Sequence, residues 1–183
     1  MMKRCVLMAV LMLFAAVELQ AQGLFLGPQG GYEKARDADE GKFMGGVALR
    51  LKLPFAIGVE GSINYRQDKF DDGAVTVRSW PVMVTGMFYP IPVIYAGIGA
   101  GWFNTTFDYD ENKFPPNTVH DQTKQAFGYH FGGGLELPLG PSVKLTGDIR
   151  YVFLNYKFET IPGRDDLQSD FYVVTVGLLF KLW

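Results

Sequence analysis

Alternation with a period of two runs through almost the whole chain and limits what it can fold into. The clearest case is VKLTGDIRY at residues 143–151, where Lys144, Thr146, Asp148 and Arg150 share one face and apolar residues share the other. Successive side chains of a β-strand point to opposite faces, so this pattern predicts strands with one apolar and one polar face. Eight such segments begin near residues 24, 42, 56, 74, 93, 124, 143 and 170.

The connections between the eight segments alternate in length and chemistry. The second, fourth and sixth are short and contain proline, around Pro54, around Pro90 and Pro92, and around residues 138–141. The first, third, fifth and seventh are polar, with the sequences EKARDADEGK, RQDKFDDG, DYDENKFPPNTVHDQTK and ETIPGRDDLQSD. Short turns on one side and longer loops on the other are typical of an outer-membrane β-barrel. We therefore expect both termini on the short-turn, periplasmic side.

The beginning of the chain is typical of an export signal. A basic pair is followed by an apolar segment from Cys5 to Val17, which is too short to span a bilayer, and then by a small residue at a plausible cleavage point. We predict a signal peptide at 1–21 and one barrel domain at 22–183. The only cysteine lies in the signal, so no disulfide is expected. The remaining charge is slightly acidic, and we predict no nucleic-acid partner.

The two faces of the strands distinguish a membrane barrel from a soluble one. The apolar face carries aromatic residues such as Tyr129, Phe131 and Tyr151, and the other face combines small residues with charges of both signs. Eight strands enclose a space just wide enough for side chains, and charges buried there must be paired. We therefore expect a lumen filled by a charge network of Arg50, Glu60, Glu136, Asp148 and Arg150, with Gly132 and Gly134. The alternative is a soluble periplasmic lipocalin-like ligand binder with these charges outside.

Two segments, at residues 74–88 and 93–103, are harder to orient. Pro81 removes a hydrogen bond between strands and predicts a bulge or bend in its strand. We therefore do not assign which residues of this strand face outward. In the second segment the favoured outward residues are Ile94, Ala96, Ile98, Ala100 and Trp102.

The stretches GGGLELPLG and VKLTGDIRYVF, together with the C-terminal VGLLFKLW, resemble small outer-membrane β-barrels of the OmpA and OmpX kind. The resemblance is to the outer membrane protein β-barrel domain family and covers residues 23–183. It implies an all-β fold, an eight-stranded antiparallel up-and-down transmembrane barrel in the outer membrane of a Gram-negative cell. It also implies contact with outer-membrane lipid and lipopolysaccharide, and recognition of the last strand by the barrel-insertion machinery.

The last strand, FYVVTVGLLFKLW, has its own predicted orientation. Lys181 would face the lumen, and Trp183 would lie one step out of the lipid-facing register, where an indole still suits a membrane interface. The residues expected to face lipid are Val174, Val176, Leu178, Phe180 and Leu182.

Candidates for catalysis are few. His120 lies in the longest loop and His130 on a polar strand face, and neither has the neighbouring serine of a lipid A-modifying barrel enzyme. The pair Ser169–Asp170 opens the last strand, but no histidine is tied to it by sequence. We therefore predict no catalytic residue, a solvated His120 and a lumen-packed His130.

Candidates for metal or phosphate binding are equally weak. Acidic groups in the loops could bind a divalent cation such as calcium, but solvated loop tips are the favoured interpretation. The glycine triplet at 132–134 lacks the Lys-Ser/Thr and the helix start of a phosphate loop, so we expect it to let the wall bend or a bulky lumen neighbour approach. No cofactor and no metal site are predicted. The acidic groups are Asp71 with Asp72, Asp108 with Asp110 and Glu111, and Asp165 with Asp166.

The predicted function is non-enzymatic: a structural or surface-interaction role through the extracellular loops, where barrel proteins carry their specificity. Two further alternatives stay open at this level. A narrow pore or a carrier of small hydrophobic molecules would need a lumen opening or a gap in the wall, which the Pro81 strand could supply. A lipid A-modifying enzyme would need a histidine near a serine or a carboxylate at the rim.

Overall fold

The computed structural model describes residues 23–36, 40–70, 75–109, 122–156, 167–168 and 170–183. Eight strands form the wall, and each begins within two residues of its predicted start. No helix in this part of the chain is long and apolar enough to cross a membrane. A two-residue strand, β8, pairs with the end of β7. The strands are β1 (Gly23–Ala35), β2 (Lys42–Lys52), β3 (Ile57–Phe70), β4 (Val75–Ile91), β5 (Ile94–Tyr109), β6 (Gln122–Pro138), β7 (Val143–Tyr156), β8 (Leu167–Gln168) and β9 (Phe171–Lys181).

The wall strands close on themselves. Consecutive strands from β1 to β7 pair antiparallel, β7 pairs with β9, and β9 pairs with β1. A sheet closed in this way has no free edge, and its backbone hydrogen bonds are made between strands, as a membrane requires. The predicted fold, an all-β eight-stranded antiparallel up-and-down barrel, is confirmed.

Short hairpins join the strands at one end of the barrel. They connect β2 to β3, β4 to β5, and β6 to β7. The polar connections at 36–41, 71–74, 110–121 and 157–170 all fall at the other end and are called the longer loops from here on, although 71–74 has only four residues, as do two of the hairpin turns. The β2–β3 turn contains Phe55 and Ala56, which have φ angles of 62° and 61°. The predicted alternation of short turns and longer loops is therefore present in the fold.

The apolar face of every wall strand points outward. On β5, Ile98 and Trp102 are 73 % and 45 % exposed, whereas Tyr95 and Phe103 on the opposite face are buried. The favoured orientation of this segment is confirmed, and that of the last strand is confirmed as well, from Val174 to Leu182. The charged face lies inside the barrel, which contradicts the soluble lipocalin-like alternative.

The strand that contains Pro81 has a regular register. Ile63 of β3 pairs with Val82, and Arg66 of β3 pairs with Ser79. The two residue pairs between them are missing, but the register is the same on both sides of the gap. The predicted bulge at Pro81 is therefore wrong: proline removes its own hydrogen bond, but the strand keeps its phase. The register shift of β4 lies instead between Phe88 and Ile91, beside the short turn to β5.

Aromatic side chains mark the edge of the outward apolar band towards the longer loops. They come from seven of the wall strands, and the next outward residue on five of these strands is polar. On β9 the band extends from Tyr172 to Leu182, which at about 3.3 Å per residue and a tilt near 40° corresponds to roughly 25 Å, the height of a transmembrane barrel's apolar band. The aromatic residues are Tyr32, Phe43, Tyr65, Trp102, Phe127, Phe153 and Tyr172. The polar residues that follow them are Lys34, Gln67, Asn104, Gln125 and Asp170.

Candidate functional site

The lumen near the short turns holds a network of paired charges. Arg50 on β2 donates from Nε to Glu60 on β3 at 2.8 Å and from Nη1 to Glu136 on β6 at 2.9 Å. None of the three side chains is more than 2 % exposed. Because β2 and β6 are not neighbours in the sheet, the contact between Arg50 and Glu136 crosses the lumen.

A second arginine extends this network along the lumen. Arg150 donates from Nη2 to Glu60 at 2.6 Å and from Nε to Asp148 at 2.9 Å. Tyr95 donates its hydroxyl proton to Asp148 at 3.0 Å. Glu60 therefore lies between two guanidinium groups. All five predicted network residues take part: Arg50, Glu60, Glu136, Asp148 and Arg150.

Three further side chains that were not among the five predicted network residues converge on Glu136. Lys52 and Lys144 donate to its Oε1 at 2.9 and 2.6 Å, and Tyr89 donates to its Oε2 at 2.9 Å. The ammonium group of Lys144 also lies 3.9 Å from the ring centroid of Phe25, a cation–π arrangement. Both carboxylate oxygens of Glu136 are thus satisfied by lumen donors.

The glycine triplet makes room for this network, as predicted. A Cβ atom on Gly132 would lie 3.1 Å from Cγ of Arg150 and 2.2 Å from the backbone oxygen of Ile149. A Cβ atom on Gly134 would lie 2.7 Å from the hydroxyl of Tyr95. Larger residues at these two positions would push the network side chains out of place.

His130 is packed in the lumen, in agreement with its predicted position. The residue is 3 % exposed, and its Nε2 lies 2.9 Å from Oγ1 of Thr85, which also accepts a hydrogen bond from Arg150. Its Nδ1 has no hydrogen-bond partner among the described residues. A nucleophile–base pair needs a third group to orient the histidine and access for a substrate. Among the described residues, the buried His130–Thr85 pair has no such third group and no access for a substrate.

A layer of buried apolar side chains fills the lumen on the side towards the longer loops. Phe103 on β5 and Phe171 on β9 contact each other edge to face, with their ring centroids 5.6 Å apart. These strands are not neighbours, so this contact also crosses the lumen. The sequence analysis missed this layer, which consists of Met44, Met83, Phe103, Ala126, Val152, Leu154, Phe171 and Val173.

Ion pairs lie at the loop end of the barrel. Arg66 pairs with Glu33 and, at 3.2 Å, with Asp68. Asp108, one of the candidate cation ligands, lies 2.7 Å from Nε of Arg78. The described residues contain no group of three or more His, Cys, Asp or Glu side chains that could hold a metal ion.

Several sequence candidates fall outside the described residues. Asp170, from the Ser169–Asp170 pair, is described and accepts a hydrogen bond from Tyr151 at 2.8 Å rather than from a histidine. The other candidates lie outside the described residues, so what was predicted for them stays a prediction. They are the signal peptide at 1–21, His120, Asp71, Asp72, Asp110, Glu111, Asp165, Asp166 and Ser169.

The fold is that of known outer-membrane proteins. Neisserial surface protein A is 11 % identical, with a TM-score of 0.62 over 87 % of this chain and 97 % of that one. OprG from Pseudomonas aeruginosa is 13 % identical, with a TM-score of 0.56 over 88 % and 97 %.

The attachment invasion locus protein Ail of Yersinia pestis, in complex with the heparin analogue sucrose octasulfate, is 14 % identical. Its TM-score is 0.53 over 88 % of this chain and 97 % of that one. At these identities the likeness concerns the fold. No curated protein sequence matches the chain.

The family is identified by sequence as well. The model of the family described as "Outer membrane protein beta-barrel domain" matches residues 5–180. This match covers nearly the whole chain, and together with the closed barrel and its lipid-facing band it determines the location. The chain belongs to the outer membrane protein β-barrel domain family and resides in the outer membrane.

Proposed function

We propose that this protein is a non-enzymatic barrel that holds its four longer loops at the cell surface, where they contact a partner with a basic surface. The observation that carries the proposal is the filled lumen. Two layers of different chemistry occupy it, the charge network near the short turns and the apolar layer towards the loops. Each layer contains a contact between strands on opposite sides, so neither leaves a central path for solutes.

The filled lumen also argues against the other functions considered. A pore or a carrier needs a continuous path, and here Arg50–Glu136 and Phe103–Phe171 both cross it. An enzyme needs a reactive group that a substrate can reach, and the only described histidine is 3 % exposed. The loops are then the part of the molecule that can vary its contacts without disturbing the barrel.

The loop sequences suggest the chemistry of the partner. The segments 36–41, 71–74, 110–121 and 157–170 together contain 12 of the 19 acidic residues and only 4 of the 17 basic ones, a formal net charge of −8. Charge of one sign attracts the opposite sign across an interface and speeds association. A basic protein surface therefore fits these loops better than a polyanion, in contrast to the heparin analogue bound by Ail.

Binding of charged polymers tests this proposal. The folded protein in phosphatidylcholine vesicles is incubated with fluorescent polylysine or with fluorescent heparin, and bound polymer is measured after sedimentation at rising salt. We expect binding of polylysine that weakens with salt, because exposed charges are screened, and no binding of heparin. Vesicles without protein provide the background.

A loop variant provides the matched control. Replacing Asp71, Asp72, Asp165 and Asp166 by Asn removes four of the loop charges and leaves the lumen unchanged. This variant should bind polylysine several-fold more weakly than the original protein. Equal binding by both proteins, or preferential binding of heparin, would contradict the proposed partner chemistry.

Two further partners belong to the proposal. The outward apolar band is the surface that outer-membrane lipid and lipopolysaccharide would contact, with the aromatic residues at the interface. The last strand, with its alternating outward residues from Val174 to Leu182, is the element that the barrel-insertion machinery would read.

A further inference from the structure

The short-turn end of the barrel has an uncharged apolar rim. The turns at residues 53–56, 89–93 and 138–142 contain no Asp, Glu, Lys or Arg. Several of their side chains are strongly exposed, with Phe55 at 85 %, Leu139 at 60 % and Ile91 at 40 %. This rim continues the outward apolar band without a polar boundary, whereas the band ends in polar residues at the loop end.

Two charged side chains beside these turns point into the lumen. Lys52 and Lys144 lie beside two of the turns, are 7 % and 13 % exposed, and both donate to Glu136 inside the lumen. A barrel end that protruded into water would be expected to carry charges on its outside, as the loop end does. The rim therefore has the surface chemistry of the membrane-facing wall.

The β2–β3 turn holds its aromatic residue in an uncommon conformation. Phe55 and the following Ala56 both have a left-handed backbone, which is unfavourable for L-residues and rare for a bulky side chain. Two hydrogen bonds fix the turn, from the amide of Leu53 to the carbonyl of Ile57 at 2.9 Å and from Tyr89 to Ala56 at 2.8 Å. Glycine would relieve the strain at either position. The ring of Phe55 is 85 % exposed and gains little from packing inside the protein, so it is available to a phase outside the barrel.

We propose that the three turns are immersed in the inner leaflet of the outer membrane and that Phe55 anchors the barrel among phospholipid acyl chains. The arrangement of the rim favours lipid over a protein partner. The turns join β2 to β3, β4 to β5, and β6 to β7, so the apolar residues surround the barrel. A planar lipid boundary contacts such a ring along its whole circumference, whereas a single protein partner would cover one sector.

The depth of spin labels in phospholipid vesicles tests this immersion. Single cysteines replace Phe55 in the turn, Val176 in the middle of the outward band, and Lys34 beyond its loop edge, in barrels confirmed as folded. Each label is tested for collision with oxygen, which concentrates in lipid, and with a nickel chelate, which stays in water. We expect the label at 55 to favour oxygen and to lie between the other two in depth. Nickel accessibility at 55 equal to that at 34 would overturn the proposal.

Glycine substitutions separate the anchor from the backbone strain. Ala56→Gly relieves strain without removing an aromatic ring, and it should raise the urea concentration at which the vesicle-inserted barrel unfolds. Phe55→Gly relieves the same kind of strain but removes the anchor, so its unfolding midpoint should fall. If both variants unfold at higher urea concentrations than the original protein, Phe55 does not anchor the barrel.

Discussion

Glu60 balances the charges of two arginines in the lumen. It accepts hydrogen bonds from Arg50 and Arg150, and all three residues are at most 4 % exposed. Removing one partner of a buried pair leaves an uncompensated charge, which costs about 3–5 kcal/mol. Glu60→Ala should therefore lower the free energy of unfolding by roughly that amount, measured by urea unfolding from phospholipid vesicles.

Two control variants test whether the loss of stability in Glu60→Ala comes from an unpaired buried charge. Arg78→Ala breaks an ion pair whose arginine side chain is 46 % exposed, and it should cost about 0–1 kcal/mol, as exposed pairs do. Replacing Arg50 and Glu60 together by leucine removes both charges and should cost less than Glu60→Ala alone. A loss below 1 kcal/mol for Glu60→Ala would mean that the network does not stabilise the barrel.

Glycines on the two faces of the wall should respond differently to alanine. A Cβ atom on Gly132 would lie 2.2 Å from the Ile149 backbone oxygen, whereas one on Gly61 would meet nothing within 4 Å. Gly132→Ala should therefore destabilise the barrel by about 1–3 kcal/mol through overpacking. Gly61→Ala should be neutral or stabilise it by up to about 1 kcal/mol. Equal unfolding midpoints for the two variants would contradict the lumen packing described above.

At the residue scale, the sequence was informative about charges and uninformative about apolar lumen contacts. A charge on the inward face must be paired, so Arg50, Glu60 and their partners could be named from alternation alone. An inward Phe103 carries no such signal, because aromatic residues also suit the lipid face. Its contact with Phe171 depends on which strands lie opposite each other in the closed barrel.

At the scale of the element, each strand has one lipid-facing side. The free-energy cost of a charged residue on that side depends on its depth in the bilayer. Ile149 on β7 is 52 % exposed and lies six residues from the start of its strand. Arginine there should cost about 2–4 kcal/mol, the value for mid-bilayer positions. Leu145, two residues from the start of the strand, should also be destabilised by arginine, because the turn beside it lies among acyl chains if the immersion proposed above holds. Unfolding from vesicles measures both variants, and a neutral Ile149→Arg would show that this face does not meet lipid.

Strand positions were predictable because period two is a local property. The predicted and observed starts agree within two residues, and the outward phase of β5 and β9 was correct. The bulge at Pro81 was wrong because proline can lose its hydrogen bond without adding a residue to the strand. The actual shift, between Phe88 and Ile91, depends on how the turn closes, which the alternation does not report.

At the scale of the whole molecule, the closed barrel and its outer-membrane location predict the result of membrane fractionation and of gel electrophoresis. The barrel has no edge from which to unravel, because β9 pairs with both β1 and β7. Folded protein should therefore be found in the outer-membrane fraction and should migrate differently on a gel before and after boiling. Identical migration of both samples would contradict a closed barrel.

The central claim is that the lumen is filled and that the protein works through its loops. Electrical recording of the folded barrel in planar lipid bilayers tests it most directly, with insertion verified by the boiling-dependent mobility of the same preparation. Because the charge network and the apolar layer both span the lumen, we predict no discrete current steps above those of protein-free bilayers. Regular steps that scale with the amount of inserted protein would contradict the account and make a pore the leading function.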